Sequence, residues 1–265
     1  MTDSVLCDVR EAVATVTLNR PEALNALNIE LARRLAEVIH TVEHDASVRC
    51  VVIRGAGGHF MAGGDLKLFK GELSRPVEER RKFFRSMVET VHPTMLAIRR
   101  MEKPVIASVE GAAAGFGLSL MCACDFAIAA DNAYFSLAYI SIATSPDGSG
   151  SFFLPRIVGL RRAMEIALLG DRFDAKRALE LGLINRLVPL DQLESETNTL
   201  AQRLAKGPTF AYGTTKKLLN ASLDRTLEAQ LEAEAASFSN CSTTDDFVEG
   251  ITAFTEKRKP AFKGR

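Results

Sequence analysis

Two short stretches of small residues, each behind an apolar, β-branched run, constrain this chain more than any other feature. Phe60-Met61-Ala62-Gly63-Gly64-Asp65-Leu66 follows Cys50-Val51-Val52-Ile53. Gly111-Ala112-Ala113-Ala114-Gly115-Phe116-Gly117-Leu118-Ser119-Leu120 follows Pro104 to Glu110. The apolar runs read as buried strands, and the segment after each joint reads as a helix. Small residues at such a joint let another group approach the backbone closely. The first amides of a helix have no carbonyl partner and can serve an anion. Two facing joints could thus give two N–H donors to one oxygen, an oxyanion hole suited to an enolate or a tetrahedral adduct. Gly115-Phe116-Gly117-Leu118-Ser119-Leu120 has Leu where a dinucleotide fingerprint needs its third glycine.

The rest of the chain fits an α/β pattern. Ala12 to Leu18 alternates as a half-buried strand. Asn28 caps a helix running to about Glu43, with Leu31, Leu35, Val38, Ile39 and Val42 on one face. Val48 to Arg54, Val105 to Val109, Phe126 to Ala130 and Ala133 to Leu137 read as strands. Residues 67–103 read as mostly helical, with a connection at Glu72 to Pro76, and residues 118–123 as a helix. Thr144 to Gly150 is a loop by composition. Helices are predicted at about 151–158, 161–169 and 174–181, then a strand from Ile184 to Val188. From Leu190 onward only helix is predicted, marked by Leu200, Leu204, Leu218, Leu219, Leu227 and Leu231.

With 33 basic and 33 acidic residues the formal net charge is zero, which argues against a nucleic-acid-binding surface. No apolar run is long enough to span a bilayer, and the N-terminal residues carry no secretory pattern, so a cytoplasmic protein is expected. The five cysteines form no paired framework and are expected to be reduced. His40 and His44 stand four apart on the first helix, but no third ligand is apparent, and no metal site is expected.

Together and in this order, the motifs resemble the enoyl-CoA hydratase/isomerase (crotonase) superfamily. The resemblance runs through Leu18-Asn19-Arg20-Pro21-Glu22-Ala23-Leu24-Asn25-Ala26-Leu27, Phe60 to Leu66 and Gly111 to Asp125. It continues at Leu154 to Gly159, Ala175 to Pro189 (with Leu181-Gly182-Leu183-Ile184) and Phe254 to Phe262. It implies a crotonase-like spiral of repeated ββα units over residues 1–190 that carries an acyl-CoA site. Residues 191–265 would form a helical oligomerisation region, giving a homotrimer or a dimer of trimers. No separate cofactor is implied, because coenzyme A arrives as part of the substrate.

The resemblance also assigns roles. Ala62 and Phe116 match the two backbone donors that hold the thioester oxygen. Gly63, Gly64, Asp65, Leu66 and Gly115 would line the substrate, and Ala23, Leu24, Lys257 and Lys259 would reach the coenzyme A. Asp65 could equally be a helix cap, and the two lysines solvated charges at a helix end. The hydratases' two glutamates are replaced here by Ser119 and Tyr139, both placed against the substrate. The carboxylate that remains is Asp147, in Ser145-Pro146-Asp147-Gly148; it reads as a turn former or as the catalytic base. Glu110 lies outside the matching catalytic positions. One base suffices to move a double bond, so an enoyl-CoA isomerase leads. An enoyl-CoA hydratase or lyase, a hydrolase or dehalogenase with Asp147 as nucleophile, and a non-catalytic acyl-CoA-binding protein remain as alternatives.

Overall fold

The computed structural model describes residues 3–265. Strands β1 (Val5–Arg10) and β2 (Val13–Leu18) form an antiparallel hairpin that starts the main sheet. β1 was not expected: only Val5 of its six residues is buried, so it lacks the apolar alternation that marks β2. The predicted first helix forms as α1 (Ile29–His44), with the Asn28 side chain accepting from the Leu31 amide at 2.8 Å. β3 (Cys50–Gly55) follows. The predicted helical stretch then splits into α2 (Leu66–Glu72) and α3 (Val77–Arg100), separated at Leu73 to Pro76.

From β4 (Val105–Val109) the repeat becomes visible. β4, β6 (Phe126–Ala130) and β9 (Arg186–Val188) join the main sheet, whose order is β1-β2-β3-β4-β6-β9, parallel from β2 onward. The second strand of each turn enters a smaller sheet: β5 (Ala112–Ala114), β7 (Tyr134–Ser136) and β8 (Phe173–Asp174). Helix α4 (Phe116–Ala123) follows β5, and α5 (Gly150–Val158) and α6 (Leu160–Leu169) follow β7. Short α7 (Ala175–Glu180) leads back towards β9. This is the expected spiral of ββα turns. β5 was hidden in the sequence because three alanines between glycines carry no strand signature.

The chain ends in α8 (Leu193–Ala205), α9 (Thr209–Ala221), α10 (Leu227–Cys241) and α11 (Asp245–Thr255). α8 lies within the 191–265 segment yet belongs to the core. Leu193, Leu200, Ala201 and Leu204 cover Val52, Ile106 and Ile128 on one face of the main sheet. Val51, Ile53, Val105 and Ala107 pack on the other face with α1 and α4. A sheet covered on both sides explains why β3 and β4 read as continuous apolar runs. Cys50 and Cys122 are buried here, and burial pushes both thiols up to about 12, so neither is a ready thiolate. Among the described residues no helix is long and apolar enough to cross a membrane.

Among the contacts that hold α9 is a largely buried ion pair. Lys216 Nζ sits 2.7 Å from Asp125 Oδ2 and 2.7 Å from the Ile98 carbonyl, and Asp125 also accepts the Val105 amide at 2.8 Å. Burial drives the Asp125 carboxyl above its ordinary range, opposed by Lys216. Lys216→Met should strand a buried carboxylate and cost about 3 kcal/mol at neutral pH. The pair's contribution needs an ionised Asp125, so the variant's deficit should shrink as pH falls and Asp125 is protonated. Urea unfolding of both proteins at neutral and acidic pH checks the size and the sign.

Candidate active site

The two joints meet, and a third segment sets their spacing. Residues 60–65 run as a ribbon between Leu24–Leu27 and β5. Met61 donates to the Ala112 carbonyl at 2.8 Å and accepts the Ala114 amide at 2.9 Å. On the other side, Leu27 donates to the Gly63 carbonyl at 2.7 Å and accepts the Asp65 amide at 3.0 Å. The glycines are steric requirements. Gly63 has φ +92° and Gly115 φ +51°, backbone that L side chains rarely adopt, and a Cβ on either would stand 3.4–3.5 Å from the other's α-carbon. A Cβ on Gly117 would stand 2.9 Å from Met61 Cβ and collide with the Met61 carbonyl.

Ala62 is not available as an oxyanion donor. Its N–H is already given to the Leu24 carbonyl at 3.0 Å. Among the described residues, the Gly63 and Gly64 amides have no acceptor. Leu27 pairs across Gly64 as an isolated parallel bridge, so Gly64's own N–H faces away from Leu27, towards the second joint. There the Phe116 amide opens α4 and is likewise free, while Gly115 donates to Ser136 and Ser119 to Gly115. The Phe116 amide is thus free, as the expectation required, and on the facing joint the free amide is that of Gly64, not of Ala62.

Asp65 performs the capping role. Its carboxylate accepts the Lys67 and Leu68 amides at 3.1 and 3.3 Å and pairs with Arg20 at 3.0 Å. Burial alone would raise its pKa, but Arg20 and the two amides outweigh this and hold the carboxyl low. Arg20 also donates to the Ala26 carbonyl, and its amide is held by the fully buried Asn25 side chain. Asn25 donates on to the Ala56 and His59 carbonyls at 2.9 and 2.7 Å. His59 Nδ1 accepts the Ala112 amide at 3.1 Å. These residues fix the ribbon's position; their identities in the sequence gave no sign of partners so far along the chain. Leu24 borders the ribbon through its carbonyl, Ala23 lies in the short turn before it, and Leu66 opens α2.

Ser119, Tyr139 and Asp147 come together beside Phe116. The Tyr139 hydroxyl donates to Asp147 Oδ1 and lies 3.3 Å from Ser119 Oγ, which donates to the Asp147 carbonyl at 2.9 Å. A Cβ on Gly148 would stand 2.5 Å from the Phe116 ring, so the loop after Asp147 lies directly on it. Ala138, Ala143 and Ser149 all have positive φ, so the turns around this cluster carry backbone strain that the surrounding packing must hold. Burial pushes the Asp147 carboxyl above its ordinary range, while the Tyr139 hydrogen bond and the nearby charge of His92 pull it back down. Burial, with the Asp147 charge next, pushes the Tyr139 hydroxyl up, so it stays protonated and donates. His92 of α3, within electrostatic reach of Asp147, was not read as a site residue, since nothing in the sequence places that helix over the 144–150 loop.

Other expectations fall elsewhere. Lys257 and Lys259 are exposed beyond α11, where the chain folds back through Arg258–Glu249 and the Asp246 carboxylate, and neither meets the joints. Glu110 lines a groove over β1 and β2 with Ser108 and Asn198, away from Asp147. His40, Glu43 and His44 cluster on exposed α1, but Glu43 is paired with Arg100 at 2.7 Å.

Residues 8–265 match the family model described as enoyl-CoA hydratase/isomerase. A 1,2-epoxyphenylacetyl-CoA isomerase of Escherichia coli is 37% identical over the whole of both chains. A 4-chlorobenzoyl coenzyme A dehalogenase of an Arthrobacter species is 34% identical over 93% of this chain and 88% of its own. The crystal structure of an enoyl-CoA hydratase from Polaromonas superposes with a TM-score of 0.91 at 35% identity, over 98% of this chain and 99% of the other. The ββα spiral, the two glycine joints and a match spanning nearly every residue lead to one conclusion: this chain belongs to the enoyl-CoA hydratase/isomerase family.

Proposed function

We propose that this family enzyme acts on an acyl-CoA thioester and moves a double bond through an enolate. The Gly64 and Phe116 amides hold the thioester oxygen. The Asp147 carboxylate takes a proton from C2, and the electron pair moves onto that oxygen. The same carboxyl then returns the proton at C4 as the enolate collapses, which regenerates Asp147 and leaves the composition unchanged. One oxyanion donor of this kind is worth about 3–4 kcal/mol of transition-state stabilisation.

The observation that carries this reading is the Asp147 cluster. One carboxylate oxygen is anchored by Tyr139 and the backbone carbonyl by Ser119, so the second oxygen is positioned to accept a proton. A buried carboxyl with a raised pKa is a stronger base once ionised. A hydratase-type pair lacks support, because Ser119 and Tyr139 occupy the positions such an acid and base would need. In a second reading Asp147 is a nucleophile: its carboxylate displaces a leaving group from an activated carbon, and water then attacks the resulting ester at its carbonyl, which restores Asp147 and leaves the hydroxyl on the product.

Asp147→Asn should lower turnover by about 10²–10⁴-fold. It should leave acyl-CoA binding intact, because both oxyanion donors are backbone groups. Mass and double-bond position of products from 2-enoyl-, 3-enoyl- and aromatic thioesters separate the readings: isomerisation leaves the thioester's mass unchanged, hydration adds water to the intact thioester, and hydrolysis releases free coenzyme A.

Tyr139→Phe removes a hydrogen bond that favours the ionised Asp147, so the carboxyl should titrate at higher pH. The acid limb of the kcat/KM profile should therefore move upward in pH relative to wild type, and Ser119→Ala should move it less.

The same reading includes assembly as a trimer or a dimer of trimers. Leu219, Leu223, Leu227, Leu231, Phe238 and Phe254, in or beside the C-terminal helices, are 55–85% exposed, and large apolar side chains left exposed in such number favour burial against another chain. Light scattering at micromolar concentration should give a multiple of three chains; a monodisperse monomer refutes the assembly.

A further inference from the structure

We propose that the protein carries a second ligand site, at the far end of α4, which takes a monocarboxylate with an apolar body and holds its carboxylate on Arg99. A cavity of about 540 Å³ lies between the last residues of α4, the end of α3, α5 and α9. That volume is in the range of small-molecule pockets. The ribbon, Phe116 and Asp147 do not line it. Phe116 opens α4, and the cavity meets that helix from Met121 onward, roughly 8 Å further along its axis.

The charged groups of the lining are paired, with one exception. Lys216 meets Asp125 at 2.7 Å, Glu102 meets Lys217 at 2.7 Å and Arg156 meets Asp224 at 3.3 Å. Among the described residues, no carboxylate lies within 4.0 Å of the Arg99 guanidinium. The last turn of α3 offers it only partial negative charge. One Arg99 nitrogen donates to the Asn220 carbonyl at 2.8 Å, and Asn220 Nδ2 returns a bond to the Arg99 carbonyl at 3.1 Å. The group is thus anchored on one side while most of its five N–H donors stay uncommitted. It stands 5.0 Å from the Phe153 ring centre and shares the Phe152 ring with Arg156, at 5.8 and 3.6 Å. Burial works against its charge; Asp125 opposes this, and the neighbouring Arg156 adds to it. A carboxylate matches the guanidinium fork with two parallel hydrogen bonds and supplies the missing charge. Since one cation is unpaired, a monoanion balances it, whereas a phosphate dianion would leave excess negative charge near Asp125. Met121, Phe126, Leu183, Leu204 and Leu219 supply the apolar wall for the body of the ligand.

Octanoate is the probe. Leu219 also belongs to the surface assigned to assembly, so the titrations use the assembled protein. By calorimetry octanoate should bind with a Kd below about 1 mM. Acetate, which lacks the apolar body, and octylamine, which reverses the charge, should bind at least about tenfold more weakly. Arg99→Gln should weaken octanoate about tenfold or more. Thr215→Glu sets a rival carboxylate on an exposed position of the lining and should weaken octanoate but not octylamine. If Arg99→Gln does not fold, Thr215→Glu decides alone. An excess of octanoyl-CoA should leave octanoate bound, since the joints lie elsewhere. No octanoate binding in this range, octylamine binding as tightly, full octanoate affinity in the deciding variant, or displacement by octanoyl-CoA would each overturn the second site.

Discussion

The ribbon of residues 60–65 is the part on which the rest of the site depends. It is not a member of either named sheet, yet it is hydrogen-bonded on both edges, to Leu24–Leu27 and to Ala112–Ala114. That double engagement leaves few of its amides over. Phe60, Met61, Ala62 and Asp65 are spent on carbonyls, and what remains at the second joint's side is Gly64. An oxyanion donor must be preorganised to help, since a group that reorients during reaction spends the energy it would supply. In the proposed mechanism the Gly64 amide is held in place by the hydrogen bonds of its neighbours Met61, Ala62 and Asp65.

The side chains that hold the ribbon are charged or amide groups reaching across long stretches of sequence. Arg20 and Asp65 pair 45 residues apart, and Asn25 holds carbonyls 31 and 34 residues away. Buried donors and acceptors of this kind are costly to leave unpaired, which makes the arrangement close to all-or-none. Asp65 shows how a motif residue at the edge of a site can act on backbone geometry, through a helix cap and an ion pair.

The Asp147 cluster follows a different logic. It rests on a loop with several positive-φ residues, packed on Phe116 through Gly148. The ring belongs to the residue whose amide opens α4, so the proposed base and one proposed oxyanion donor share a single packing contact. Burial makes the carboxyl harder to ionise, and Tyr139 limits how far that goes. A proton shuttle needs that balance, because a fully solvated carboxylate is a weak base and a fully isolated one stays protonated.

Apolar periodicity, a local signal, made the helical C-terminal third legible in the sequence, and the ordered motifs carried the family resemblance that implied the ββα spiral. The sequence also picked out Phe116, Ser119, Tyr139 and Asp147, which the fold brings into one cluster. Tertiary structure alone decided which amides stay free. Ala62 and Gly64 are two residues apart and equally small, and only the carbonyl of Leu24 distinguishes them. It decided that Asp65 caps a helix, that α8 belongs to the sheet's core and that Lys257 and Lys259 stay apart from the joints of their own chain. It also brought His92 within electrostatic reach of Asp147. Those are contacts between distant segments, and a sequence carries no distance between residues until the backbone's hydrogen bonds have been assigned.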